Sequence, residues 1–330
     1  MIARSSLLVT VLAVLLLLAA AASLFAGELW IGPGEVGAAL VGHADTLAGM
    51  VVRELRLPRL VLAVLVGGIL GLSGAVLQGL TRNPLAEPGL LGVSAGASLG
   101  AVLAIYYGLS SVLPIATPLA GLSGALLVTG LALLLARGGG TVTLILAGAA
   151  VTSIAGAGIS LALNLAPNPY AAYEIMTWLL GSLADRSWDQ VALAAPFIVA
   201  GGALLLPTAH ALDALALGEV QARSLGIDLG RTRLLALFGT ALGVGAATAV
   251  TGAVGFVGLV APHIVRPLVG HRPAATLLPA TLAGALLVVL ADLVTRLVHV
   301  GPELKLGVVT ALVGAPFFLW LVLHLRRTAP

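Results

Sequence analysis

Residues 56–88 of the chain, RLPRLVLAVLVGGILGLSGAVLQGLTRNPLAEP, contain an apolar run that extends from Pro58 to about Leu80. An α-helix needs about 20 mainly apolar residues to cross the hydrocarbon core of a bilayer. Proline suits the first turn of a helix, where a missing N–H is no loss. Small residues let membrane helices approach closely, and four glycines lie in the run: Gly67, Gly68, Gly71 and Gly74. The stretch therefore predicts a transmembrane helix packed tightly against other helices, rather than a pore-lining role for any one glycine.

The rest of the chain repeats this pattern. Of its 330 residues, 60% are hydrophobic and 9% are charged, whereas soluble domains carry about 25% charged residues. Nine further apolar runs cover approximately Leu7–Phe25, Leu90–Tyr107, Ile115–Ala136, Val142–Leu165, Val191–Leu206, Leu234–Val254, Phe256–Val269, Leu277–Val298 and Gly307–Leu325. In lipid each run must satisfy its own backbone polar groups, as a helix does. We therefore predict an all-α polytopic membrane protein with about ten transmembrane helices in a single domain, residues 1–330.

Two of these runs are less clear from composition. The first follows a basic residue, Arg4, as in a signal peptide. It is nearly twenty residues long and further spans follow, so we expect an uncleaved first helix. The eighth run is short and contains Pro262, and composition leaves open whether this helix is broken or only partly inserted.

The positions of lysine and arginine predict the orientation, because basic residues concentrate on the cytoplasmic side. With the N-terminus inside, ten of the sixteen basic residues are cytoplasmic and six are outside. The six on the outer side are Arg53, Arg56, Arg59, Arg186, Arg296 and Lys305. We therefore expect both termini to be cytoplasmic, and the outer arginines to have specific partners.

Composition also argues against several kinds of chemistry. The absence of cysteine excludes disulfides and thiolate sites, and the only lysine, Lys305, does not end a phosphate-binding glycine-rich loop. The Gly-x-Ser-Gly pattern of intramembrane serine proteases occurs twice, at 71–74 and 121–124. Chance and packing in a glycine-rich chain explain it better than catalysis with His263 as the base. We expect no catalytic residue, no metal site, no cofactor and no nucleic-acid partner.

Asp292 is the clearest carboxylate within an apolar run, and such residues are functional candidates by default. Arg296 lies four residues further on, one helical turn away, so we favour an internal ion pair. A secondary carrier or channel for a small solute is the alternative function, although a proton-coupled carrier would hold more unpaired acidic residues.

A polar, helix-prone segment at about 211–230 separates the sixth and seventh runs. Gly218 and Gly226 interrupt it, which predicts short cytoplasmic helices joined by sharp turns that need φ > 0. Here the sequence resembles the FecCD/BtuC-like permease family of ATP-binding-cassette (ABC) importers for iron siderophores, haem and vitamin B12. The resemblance covers essentially the whole chain in order. Its other motifs lie at 56–59, 82–88, 92–97, 178–183, 255–266, and at Glu303-Leu304 followed by 307–318.

The resemblance implies an all-α, type II ABC importer permease in the bacterial inner membrane. It implies a homodimer with a pore between the copies, two separate ATPase subunits, and a periplasmic or lipid-anchored substrate-binding protein. The permease itself would not be an enzyme. The resemblance leaves open which chelate is imported.

The resemblance also implies residue roles. The ATPase would be contacted through a coupling segment containing Gly218, Glu219, Ala222, Arg223, Leu225 and Gly226. A cytoplasmic gate would lie at Thr141, Val142 and Thr143, at the start of the fifth span. Outer arginines would dock the binding protein: Arg56, Arg59 and Arg296. For Arg296, a purely internal pair with Asp292 is an equal alternative.

Overall fold

The computed structural model describes residues 2–27, 30–42, 46–298 and 304–328. All regular structure in these ranges is helical, with no strand among them. The α-helices are α1 (Ile2–Phe25), α2 (Pro33–Leu40), α3 (Leu47–Met50), α4 (Leu57–Thr81), α5 (Val93–Tyr106), α6 (Leu109–Val112), α7 (Ala116–Leu135), α8 (Thr141–Asn164), α9 (Pro169–Leu179), α10 (Trp188–Leu205), α11 (Ala209–Leu215), α12 (Glu219–Ser224), α13 (Leu229–Thr251), α14 (Val257–Val265), α15 (Pro273–Leu297) and α16 (Leu306–Thr328). The predicted all-α class is confirmed, while Glu303 of one quoted motif lies outside the described residues.

Each of the ten apolar runs forms a helix. Eight helical segments are long and apolar enough to cross a membrane: Ser5–Phe25, Leu47–Thr81, Ala116–Leu135, Thr141–Asn164, Trp188–Leu215, Leu229–Thr251, Pro273–Leu297 and Leu306–His324. The predicted third and eighth spans are shorter, at Val93–Tyr106 and Val257–Val269. The second span is longer than predicted, because α3 continues through a π-helical turn, Val51–Arg56, into α4.

The segment between α4 and α5 packs against other helices and leads into the short helix α5. A 14-residue helix such as α5 is only about 21 Å long. The segment leading into it places Pro88 against Gly258 of α14, and the backbone of Leu90 against Gly148 of α8. Irregular backbone at membrane depth is tolerated where protein covers it, and here Ala86, Pro88 and Leu91 are buried. The short eighth run is thus a short helix, α14, followed by a 3-10 turn, Arg266–Val269.

The core of the bundle is α4, which packs against α15, α14, α13 and α10. In the most apolar 18 residues of the segment Leu47–Thr81, which contains α4, 83% of the residues are buried. The corresponding value for the segment Ser5–Phe25 of α1 is 22%. The glycines of α4 explain this. A Cβ atom at Gly67 or Gly71 would collide with the backbone of Gly284 or Ala280 on α15, and one at Gly74 would collide with the carbonyl of Gly258. The predicted packing role of these three glycines is confirmed.

We expect Gly71→Ala to destabilise the protein, because the added methyl would push α4 away from the backbone of α15, which cannot yield as a side chain would. Overpacking of this kind costs about 1–3 kcal/mol. The measurement is the midpoint of thermal unfolding in detergent.

Gly130→Ala in α7 is the matched control, since nothing lies within 4 Å of a Cβ placed there. Its higher helix propensity should leave stability unchanged or raise it by up to about 1 kcal/mol. Equal midpoints for the two variants would contradict the packing argument.

Candidate functional site

The predicted coupling segment forms two short helices at one end of the bundle. After α11 the chain turns at Gly218, runs through α12, and turns again at Gly226 before α13. Gly218 has φ 116° and Gly226 has φ 82°, conformations that L side chains rarely adopt. The predicted sharp turns are therefore confirmed, while contact with an ATPase stays a prediction.

This segment presents apolar side chains outwards. Leu217, Val220 and Leu225 are 65%, 77% and 62% exposed, whereas Ala222 is fully buried and holds α12 against the bundle. Arg223 is also exposed. Apolar side chains grouped beside charged ones are typical of a protein-binding surface. We name the exposed residues Leu217, Val220, Arg223 and Leu225 the coupling tip.

An ion pair fixes the base of the coupling tip to α15. Asp213 of α11 accepts a hydrogen bond from Arg272 Nη2 at 2.7 Å and another from the backbone N of Ala274 at 2.9 Å. The hydrogen bond that Arg272 donates to Asp213 raises the pKa of the guanidinium above its ordinary value. These two hydrogen bonds therefore join the end of α11 to the start of α15.

The predicted gate lies directly beside the coupling tip. Oε1 of Glu219, the first residue of α12, accepts a hydrogen bond from Thr141 Oγ1 at 3.2 Å. The same oxygen is 3.0 Å from Nη2 of Arg233, and Arg233 Nη1 donates to the carbonyl of Gly139 at 3.4 Å. The structure thus brings Glu219 of the coupling set and Thr141 of the gate set into direct contact.

The other two gate residues face outwards from the start of α8. Val142 is 71% exposed, and Thr143 is exposed as well.

Sequence reasoning missed Arg233, which counted only as one of the cytoplasmic basic residues. No local pattern identifies it, since its carbonyl partner lies 94 residues away.

At the opposite end of α4, Asp292 is shared by two of the predicted docking arginines. Arg59 Nε lies 2.8 Å from Asp292 Oδ1, and Arg296 Nη2 lies 2.9 Å from Oδ2. Arg59 also donates to Thr295 Oγ1 at 3.1 Å. Only 1% of Asp292 is exposed. The predicted Asp292–Arg296 ion pair is confirmed, and Arg59 is a second partner that the sequence did not reveal.

The arginines also hold the end of α1. Arg296 Nη1 donates to the carbonyl of Ser23 at 3.0 Å, and its Nη2 donates to the hydroxyl of the same residue. Arg56 is buried and donates from Nη1 to the carbonyl of Leu24 at 2.6 Å. The three predicted docking residues therefore lie together, and all three guanidinium groups bond within the chain. We name Arg56, Arg59, Asp292 and Arg296 the outer charge cluster.

The chain as a whole is similar to known transport proteins. Residues 15–324 match the model of the FecCD transport family. The vitamin B12 import system permease protein BtuC of Citrobacter koseri is 40% identical over 318 residues, 96% of this chain and 94% of that protein. BtuC of Salmonella newport is 41% identical over 324 residues, with the same coverage. A solved structure described as an inward-facing metal-chelate type ABC transporter has a TM-score of 0.84 and 31% identity, and the match covers 96% of this chain and 98% of that one.

We expect Asp292→Asn to destabilise the protein strongly, because it leaves two largely buried guanidinium groups without their shared carboxylate. Removing one partner of a buried ion pair typically costs about 3–5 kcal/mol. Thermal unfolding in detergent measures the effect.

Asp185→Asn is the control, because Asp185 is an exposed carboxylate on the same predicted outer side. Its φ of 56° suits asparagine as well as aspartate. Unfolding of both variants at the wild-type temperature would mean that the outer charge cluster does not stabilise the fold.

Proposed function

Because the chain belongs to the FecCD transport family, we propose that two copies of it form the pathway of an ATP-driven importer for cobalamin or a closely related metal chelate. The chain is a multi-pass permease subunit of an ABC importer, and permeases of this kind are not themselves enzymes. The observation that carries the substrate proposal is the 40–41% identity to vitamin B12 permeases over 96% of the chain. Iron siderophores and haem are the substrates to test against it.

A pore formed by two copies is supported by the surface of α8. Its exposed positions beyond the gate include several small or hydroxyl residues: Ala149, Ala150, Ser153, Ala157 and Ser160. The hydroxyls of Ser153 and Ser160 already donate to carbonyls of their own helix, at 2.9 and 3.0 Å. Such a surface offers few donors to a passing ligand. A bulky chelate could therefore pass along it without being held.

The coupling tip is the surface that we propose for the ATPase subunits. It projects from the end of the bundle, it is apolar with a basic residue, and two turns with positive φ define its shape. ATP-driven closure of the two ATPases would move the coupling tips and, with them, the gate.

Docking of the binding protein through Arg56, Arg59 and Arg296 stays a prediction. Because these guanidinium groups already bond to Asp292 and to carbonyls of α1, an acidic side chain of the binding protein would join an existing cluster. Charges of this kind act more on the rate and orientation of encounter than on affinity.

We propose that both termini and the coupling tip are cytoplasmic, on the basis of the ten-to-six distribution of basic residues. The chain has no cysteine, so a single cysteine introduced at an exposed position reports its side of the membrane directly. In intact cells, Val220→Cys should resist a membrane-impermeant thiol reagent, and Tyr170→Cys should react. The reverse pattern would invert the proposed orientation.

The transport proposal predicts uptake of labelled cobalamin into proteoliposomes that contain the permease and its ATPase, with the binding protein supplied on the outer side. Uptake should require ATP hydrolysis, stop with a non-hydrolysable analogue, and persist when the proton gradient is collapsed.

Uptake that follows the proton gradient without ATP would indicate a secondary carrier and contradict the importer. ATP-dependent uptake of a ferric siderophore or haem, but not of cobalamin, would keep the importer and replace the substrate.

A further inference from the structure

Two turns that contain glycine lie close together at the predicted cytoplasmic end of the bundle. Gly138, Gly139 and Gly140 precede the gate helix α8, and Gly138 has φ 79°. A Cβ at Gly138 or Gly140 would have nothing within 4 Å, whereas one at Gly139 would collide with the side chain of Thr143. Two of the three glycines in this turn therefore lie away from close packing. The turn at Gly218 precedes α12 in the same way. Glycine allows a wider range of backbone conformations than other residues. The glycine turns would therefore let α8 and α12 change their direction relative to the bundle.

The carboxylate of Glu219 connects the helix starts that follow these two turns. Its Oε1 accepts from Thr141, the first residue of the gate helix, and from Arg233 in the first turns of α13. Arg233 reaches on to the carbonyl of Gly139 within the glycine turn itself. The start of α8 is therefore held to the start of α12 by two polar routes that share one carboxylate oxygen.

We propose that Glu219 and Thr141 form a latch that transmits the movement of the coupling tip to the gate. This inference rests on the proposed function and adds to it the atoms that transmit the movement. When the ATPase shifts α12, the carboxylate would carry Thr141 with it, and the glycine turn at 138–140 would absorb the change in angle. Arg233 positions the carboxylate and limits the directions in which it can move.

The latch is weak enough to be remade in each transport cycle. The side chains of Arg233 and Glu219 are 24% and 29% exposed, so solvent screens the pair and its contribution is that of a surface ion pair. A contact of this strength can break and re-form without a large barrier, whereas the deeply buried outer charge cluster at the other end of α4 cannot.

Thr141→Val is the main test, because valine keeps the shape of threonine but cannot donate to Glu219. In complexes of permease, ATPase and binding protein, Val142→Cys serves as a gate probe in the cysteine-free chain, since position 142 is exposed. We expect the ATP-induced change in its thiol-labelling rate to fall by a factor of about three to five in Thr141→Val, with transport per ATP hydrolysed falling in parallel. ATP hydrolysis should continue, because the coupling tip is untouched.

Three further variants separate a latch from general loosening. Thr141→Ser keeps the hydroxyl and should behave as wild type, whereas Glu219→Gln weakens both routes and should reproduce the loss. Thr232→Val removes a hydroxyl at the same end of the bundle that donates only to Asp228 of its own turn, at 2.8 Å, and should leave the labelling change intact.

The latch is wrong if Thr141→Val retains the wild-type labelling change and transport ratio, or if Thr232→Val loses them equally. Uptake by the wild-type complex is measured first. If that complex shows no ATP-driven uptake, the proposed function is wrong as well as the latch; if it does, the variants test the latch alone.

Discussion

The close approach of α4 to its neighbours is the constraint on which the rest of the structure depends. Lipid supplies no hydrophobic drive between membrane helices, so their association depends on van der Waals packing and hydrogen bonds. Gly67 and Gly71 place the backbone of α4 directly on α15, and Gly74 places it on α14. Gly258 of α14 in turn contacts Pro88 in the segment that leads into α5.

Two polar clusters lie at opposite ends of this packed core, and they differ in burial. At the predicted outer end, Asp292 is almost fully buried and pairs with arginines of α4 and α15, so it links these two helices. At the predicted cytoplasmic end, Glu219 is partly exposed and bonds residues beside glycine turns. A buried cluster at the predicted outer end and a partly exposed one at the predicted cytoplasmic end would suit the proposed importer, whose ATPases would act from the cytoplasm.

The sequence predicted the helices well because length and apolarity decide membrane insertion locally. It also predicted the Asp292–Arg296 pair, because residues four apart in a helix are neighbours, and the turns at Gly218 and Gly226, because few residues other than glycine adopt those angles. It did not predict Arg59 as a partner of Asp292, nor Arg233 as a partner of Glu219. These contacts join residues 233 and 14 positions apart on different helices, and no periodicity in the chain relates them.

The amino-acid sequence by itself determined that the chain forms an all-α membrane protein, which runs become helices, and which family it resembles, since each follows from composition and short motifs. Only the tertiary structure decided that α5 and α14 are short, and that the segment between α4 and α5 packs against α14 and α8. It also decided that Arg59 and Arg296 share the carboxylate of Asp292. The predicted gate residue Thr141 was likewise found to contact Glu219 of the predicted coupling segment only in the structure. The physical reason is that these features depend on how closely helix backbones approach one another, and that distance is set by glycines on one helix meeting backbone atoms of another.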